Sequence, residues 1–372
     1  MKQFKCALCP AQITGENNTK EHIIPNAIGG RRKIQNFICV SCNNKTGETW
    51  DAQLAKVFAP FCTMFNIKKD RGEVPPLRVK TLGGAEYLQF ADGTFQPLNP
   101  IFEVIKNNQP GLNIFIRARN VSEANSMLQG VRKKYKLSDE SINPLKEQIK
   151  LKESYLEEPI QHSFEFDPEK SGRSAIKTAL ALTFSAGISS ESCNLAIDYL
   201  INNGEPNFGY YNCAEDLVKN RQRGCPFHCV YIKAFQETGL ILAYIEYFGF
   251  HRMIACMSNI YKGEDIDQLY AINPMTGEEI ELEIELNLSE SDISKIYNYE
   301  KYEPEYVKSS IGYIVEKAVS YSEEKELNRL ILKAIEEAEK LHDPLKSHVE
   351  NSVIKSKKFT ELLMPYFINK MK

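Results

Sequence analysis

The sequence predicts an α+β protein in which a small cysteine-stapled N-terminal module precedes a larger mixed α+β domain with a helical C-terminal end. Three observations carry this. Two C-x-x-C pairs, Cys6/Cys9 and Cys39/Cys42, bracket a short N-terminal stretch. From Leu77 onward, alternating apolar runs and turn signals interchange with helical periodicity. From about Glu305 the helical period dominates, with Leu327, Leu330, Ile331, Ala334, Ile335 and Ala338 on one stripe.

Taken in order, Asn43 to Phe58 reads as a helix, because Trp50, Leu54, Val57 and Phe58 recur at helical spacing, and Pro60 should end it. The module therefore spans 1–67, and the polar stretch 68–76, closing on paired prolines, reads as a linker to a domain over 77–372. Tyr87–Phe95 suggests a hairpin around Asp92-Gly93, and Leu112–Arg119 a strand with Leu112, Ile114 and Ile116 on one face. Ser122–Tyr135, Ser171–Ala186 and Glu191–Asn202 read as helices, and the charged stretch 136–158 shows no clear pattern. A β-rich region follows, with strands expected over Val230–Phe235, Leu240–Phe248, Met253–Met257, Tyr270–Ile272 and Glu279–Leu286.

Composition narrows the classes. The chain has 372 residues, 42% hydrophobic and 26% charged, which is the range of folded globular proteins with room for more than one core. Its most apolar run, Thr238 to Phe250, is short and broken by Glu246, which argues against a membrane span. No basic-then-apolar leader pattern stands at the start, so a cytoplasmic protein is expected. The net charge of −3 hides an asymmetry: residues 1–66 carry eight Lys/Arg against four acids, +4, leaving −7 for the rest. That distribution suits phosphate binding confined to one end.

Ten cysteines without a secretory leader do not suggest a disulfide framework. Two C-x-x-C pairs 29 residues apart instead form a closed four-thiolate set suited to one structural Zn2+. Between them lie Glu21-His22-Ile23-Ile24-Pro25, Gly29-Gly30-Arg31-Arg32 and Asn36; straight after them comes Asn43-Asn44-Lys45. This arrangement resembles the HNH (ββα-metal) endonuclease family, in the subgroup with C-x-x-C, acidic-His-Ile-x-Pro, Asn and C-x-x-C-N-x-K. The resemblance covers residues 6–57, and it departs at Glu21, where the family more often carries Asp.

The resemblance implies a nuclease that hydrolyses DNA phosphodiester bonds, RNA not excluded. It assigns His22 as general base, Glu21 and Asn43 as ligands of a catalytic Mg2+ or Mn2+, and Asn36 as a brace for the loop carrying the histidine. Asn44 is the alternative to Asn43. Oxygen ligands suit such hard cations, and a neutral imidazole suits proton abstraction near neutral pH. Arg31, Arg32 and Lys45 are candidate phosphate contacts beside a helix N-terminus. By analogy of layout, restriction or anti-phage defence is the expected role, a homodimer the expected assembly, and 77–372 a recognition or regulatory domain. Two other readings stay open: a non-catalytic zinc nucleic-acid-binding protein, and a nuclease switched by a small-molecule or protein regulator. The Cys225-Pro-Phe-His228-Cys229 cluster and His251-Arg252 read as buried structure, and Arg117 and Arg119 as a solvated sheet face.

Overall fold

A computed structural model describes residues 3–105, 113–150 and 153–371. Two compact units emerge, and neither is a continuous stretch: Met1–Val74 groups with Phe164–Ser322, and Pro75–Ser163 with Glu323–Lys372. This division differs from the single cut expected at 68–76. The cause is apolar surface: Phe58, Phe61 and Phe65 from the N-terminal segment are buried against Phe164, Phe248 and Phe250. One continuous core therefore joins the N-terminal segment to the large sheet.

The first unit opens with four two-residue strands, β1 (Phe4–Lys5), β2 (Gln12–Ile13), β3 (Glu21–His22) and β4 (Lys33–Ile34), paired as two small antiparallel hairpins. Helix α1 (Val40–Thr46) follows, with Cys39 at its N-cap position. A π-helical segment, Gly47–Asp51, leads into α2 (Ala52–Met64). The expected single helix is thus three segments, and it runs through Pro60 instead of ending there. Pro60 removes one backbone bond, to the exposed Lys56, at a cost of about 3 kcal/mol. Burial of Phe61, Met64 and Phe65 beyond it offsets that loss.

The second unit is described by itself. Strand β5 (Leu77–Thr81) pairs with β6 (Glu86–Gln89), which on its other side forms with β7 (Phe95–Pro97) the expected hairpin around Gly93, whose φ of +88° suits the turn. β8 (Ile101–Ile105) pairs with β9 (Asn113–Arg117); Leu112 lies outside the described residues. Helix α3 (Val121–Tyr135) and an unexpected α4 (Asp139–Glu147) precede β10 (Ile160–Gln161), which pairs with β5.

The chain then returns to the first unit with α5 (Ser171–Ser185) and α6 (Asn194–Ile201). Strands β11 (Phe208–Tyr210), β12 (His228–Ala234), β13 (Ile241–Tyr247), β14 (His251–Ser258), β15 (Ile266–Asn273) and β16 (Glu278–Glu279) form an antiparallel sheet in the order β11-β14-β13-β12-β15-β16. Its strands are buried on both faces. Val230, Ile232, Ala243, Ile245, Met253 and Ala255 face α5 and the N-terminal segment; Tyr231, Leu242, Tyr244 and Ile254 pack with Ile293 and Ile296 of α7 (Glu290–Tyr297). The strand expected over Glu279–Leu286 stops at Glu279. Beyond it the backbone pairs with the loop at Leu217–Lys219. Helices α8 (Pro304–Glu339) and α9 (His348–Lys370) complete the helical end; on the predicted stripe Ala334 and Ala338 are buried and Ile335 is exposed. No helix among the described residues is long and apolar enough to cross a membrane.

Candidate active site

The four cysteines converge. Their sulfurs all lie within 4.8 Å of one another, and Cys9 Sγ stands 3.8 Å from Cys39 Sγ. Thiolates about 2.3 Å from one tetrahedral metal stand about 3.8 Å apart, so the spacing fits a closed site. The backbone N–H groups of Leu8 and Cys39 donate to Cys6 Sγ at 3.5 and 3.3 Å, bonds that favour a thiolate. These cysteines could hold a metal, and they close a loop of chain that contains the β3–β4 hairpin.

That hairpin sorts the key residues by its two-residue period. Glu21 pairs with Ile34 and points inward; His22 pairs with Lys33 and is half-buried, facing outward. The turn needs Gly29 and Gly30. Gly29 sits at φ +103°, and a Cβ on Gly30 would meet the Ile24 carbonyl oxygen at 1.8 Å. The hairpin is anchored to the sheet from outside: Tyr270 Oη accepts the Arg31 and Arg32 N–H groups at 3.1 and 3.0 Å, and buried His228 donates through Nε2 to the Ile28 carbonyl at 2.8 Å. Phe248 N–H donates to His228 Nδ1 at 3.0 Å, which fixes that tautomer.

On the outward face, Asp70 meets three cationic or ionisable side chains. Its carboxylate lies 2.8 Å from Arg31 Nη1, 2.5 Å from Lys33 Nζ and 3.1 Å from His22 Nε2. Lys33, Arg31 and His22 hold its pKa far below the usual carboxylate range. Burial pulls the His22 pKa down, with Lys33 and Arg31 adding to the shift against Asp70, so the imidazole is neutral near neutral pH. Arg31 also donates to the Lys68 carbonyl at 2.7 Å. Arg32 is turned away: it is paired with Glu279 and stacked on Tyr270, 4.4 Å from the ring centre.

On the inward face, Glu21 is 6% exposed and accepts from Lys177 Nζ of α5 at 2.6 Å. Asp51, at the end of the π segment, takes the same ammonium at 2.5 Å and accepts from Ser174 Oγ at 2.6 Å. Burial lowers the Lys177 pKa, but Asp51 and Glu21 outweigh it and hold the ammonium charged. Burial pushes Glu21 up, against the pull of Lys177. Asn36, at φ +62°, exchanges hydrogen bonds with the Asn18 side chain, 2.9 Å through its N–H and 2.8 Å through Oδ1. Asn43 is half-buried on α1, and Asn44 and Lys45 are exposed beside it.

Sequence reasoning missed Asp51, Asp70, Lys33 and Lys177. Only Lys177 carried a signal, as the one charged residue between Ser174 and Ser190 in a helix of small and apolar residues.

Residues 6–59 match the family model described as HNH endonuclease. Over this N-terminal segment the chain is similar to HNH endonucleases. The match and the four-cysteine cluster agree with the family's zinc-knuckle subgroup and point to nuclease activity on nucleic acid. No curated protein and no solved structure matches the chain.

Proposed function

We propose that the protein is a divalent-metal-dependent endonuclease that hydrolyses DNA phosphodiester bonds, with one structural Zn2+ on Cys6, Cys9, Cys39 and Cys42. The supporting observation is the anion seat on the outward face of the hairpin: Arg31, Lys33 and a neutral His22 converge on one carboxylate in a segment matching HNH endonucleases.

A backbone phosphate takes the place of the Asp70 carboxylate between Arg31 and Lys33, with Lys45 as a further contact. His22, released from Asp70, shifts its single ring proton to Nδ1, and the freed Nε2 accepts a proton from water; the water oxygen bonds to phosphorus, the P–O3′ bond breaks, and the leaving oxygen takes a proton from solvent. A Mg2+ or Mn2+ held by Glu21 and Asn43 would neutralise the charge that builds on that leaving oxygen. As to fit, Asn43 makes no side-chain hydrogen bond among the described residues, and Glu21 offers a carboxylate of which Lys177 engages one oxygen. Asn36 braces the loop through Asn18. Arg32 contacts phosphate only if it leaves Glu279.

The test is full-length protein on plasmid DNA with Mg2+ or Mn2+, with and without chelator, beside His22→Ala. Loss of cleavage by roughly 10²–10⁴-fold, with zinc and DNA binding retained, is expected. Wild-type rate in the variant rules His22 out as base. A non-catalytic zinc protein would bind DNA and cut under none of these conditions. Restriction or anti-phage defence, a cytoplasmic location and a homodimer fit this reading by analogy of layout.

A further inference from the structure

A second polar cavity lies in the first unit, between the Ala214–Cys225 loop and the start of α8, and it shares no residue with the His22 seat. Its volume is about 200 Å³. That is room for several waters, and for a phosphate with the rest of its molecule reaching the open rim. Arg221, Arg223 and Arg252 line it together with Tyr306, Ser310 and Tyr313.

The three arginines are not equivalent. Arg221 is spent: it pairs with Asp216 and with Glu246 at 2.8 Å and donates to the Gly249 carbonyl at 3.1 Å. Arg252 is 1% exposed, yet only half satisfied. Its Nε reaches Glu246 at 3.2 Å and its Nη2 reaches Asp216 at 3.4 Å, while its Nη1 is buried with no hydrogen-bond partner. Arg223 is exposed at the rim, 5.9 Å over the Tyr313 ring, with no carboxylate partner among the described residues. Three guanidinium groups thus face two carboxylates. A buried guanidinium N–H without an acceptor is costly, and an anionic ligand would satisfy it.

We propose that this cavity binds an organic phosphate of mononucleotide size, its phosphate held by Arg252 Nη1, Arg223 and the Ser310 hydroxyl, and its ring against the tyrosines. Paired guanidinium donors suit a tetrahedral dianion, and tyrosine rings suit a flat base. The phosphate can belong to a free nucleotide or to the end of a nucleic-acid strand. The site is independent of the nuclease reading.

The experiment is calorimetric titration of the full chain with inorganic phosphate, AMP, adenosine, and one oligonucleotide with a 5′-phosphate or a 5′-hydroxyl. AMP or the 5′-phosphorylated strand should bind, adenosine and the 5′-hydroxyl strand more weakly, and which of the two phosphates binds identifies the source. Arg223→Ala and the cavity-filling Ser310→Tyr should each weaken binding by roughly tenfold or more without shifting the unfolding midpoint. Lys33→Ala should leave AMP binding unchanged, which separates this cavity from the His22 seat. Arg252→Lys should behave like Arg223→Ala if it folds. No binding by any phosphate probe at ~1 mM overturns the proposal. So does binding that survives both Arg223→Ala and Ser310→Tyr.

Discussion

Lys177→Met is the most informative single change. Met keeps the length of the side chain and removes its charge. The lost ammonium sits 2.6 Å from Glu21 and 2.5 Å from Asp51, whose side chains are only 8% and 14% exposed. Two carboxylates would be left side by side without a counter-charge. Breaking a buried pair in this way costs about 3–5 kcal/mol, a large part of the ~5–15 kcal/mol that holds a domain. Removing the charges as well should reverse the loss. The triple variant Lys177→Met, Glu21→Gln, Asp51→Asn should recover to within about 1–2 kcal/mol of wild type, because a neutral hydrogen-bonded set replaces an ionic one. Urea unfolding followed by fluorescence of Trp50, the single tryptophan, reads the change beside the network itself. The triple variant also separates folding from chemistry: it should be folded and still cleave poorly, because Glu21 is a proposed metal ligand. If Lys177→Met costs under ~1 kcal/mol, or the triple variant stays as unstable as the single one, compensation of buried charge is not what holds this junction together.

Three further outcomes follow from the same geometry. Burial lowers His228 from 6.5 to about 4, so its neutral form stabilises the fold fully above pH 6.5. That contribution, up to about 3 kcal/mol, should be lost as pH falls towards 4, and His228→Phe should flatten the acid limb of a urea-midpoint profile. Cys39→Ser should abolish zinc retention by metal analysis and lower the unfolding midpoint of the whole first unit, because the knuckle shares its core; an unchanged midpoint with zinc absent would contradict this. Asp70→Asn should bind DNA more tightly, by about 1 kcal/mol or roughly fivefold at the screening of an exposed site, in a gel-shift titration; weaker binding would mean that Asp70 does not compete with phosphate.

Legibility in the sequence followed how local each signal was. The cysteine pairs, the Glu21-His22 motif and the Asn43-Asn44-Lys45 run lie close along the chain; the structure gathers the four cysteines as expected, and starts the helix at Val40 rather than Asn43. Partners from distant segments left no such mark. Asp70 sits 48 residues from His22, and Lys177 sits 156 residues from Glu21, so no local period could pair them. Two helices were missed for a different reason. α4 and α7 are short, but both begin at capping serines, Ser138 and Ser289, and the latter forms a reciprocal capping box with Asp292. Those caps were readable. Pro60 misled because a breaker rule is local, whereas the burial of Phe61 and Phe65 that overrides it is tertiary.

The shared core also decides whether the segment similar to HNH endonucleases can fold alone. A fragment ending at Val74 keeps all four cysteines, and apparent zinc affinity in small knuckles, about 10–16 kcal/mol, is enough to order the metal loops. It loses everything that covers α2. Phe58, Phe61 and Phe65 are each 1% exposed or less, and their partners Phe164, Phe248 and Phe250 lie outside the fragment. At about 2–3 kcal/mol for each uncovered ring, the loss is ~6–9 kcal/mol, comparable to a domain's whole stability. It also loses Lys177, leaving Glu21 and Asp51 without their counter-ion, and Tyr270 and His228, which anchor the Gly29-Gly30 turn. The 1–74 fragment should therefore bind zinc, show little α2 helicity by circular dichroism, and fail to cut DNA. A chain joining 1–74 to 164–322 through a flexible linker should fold with a midpoint near that of the full protein. If the short fragment instead unfolds cooperatively and cleaves at the full-length rate, the N-terminal segment is an autonomous module and the aromatic contacts with the sheet are dispensable.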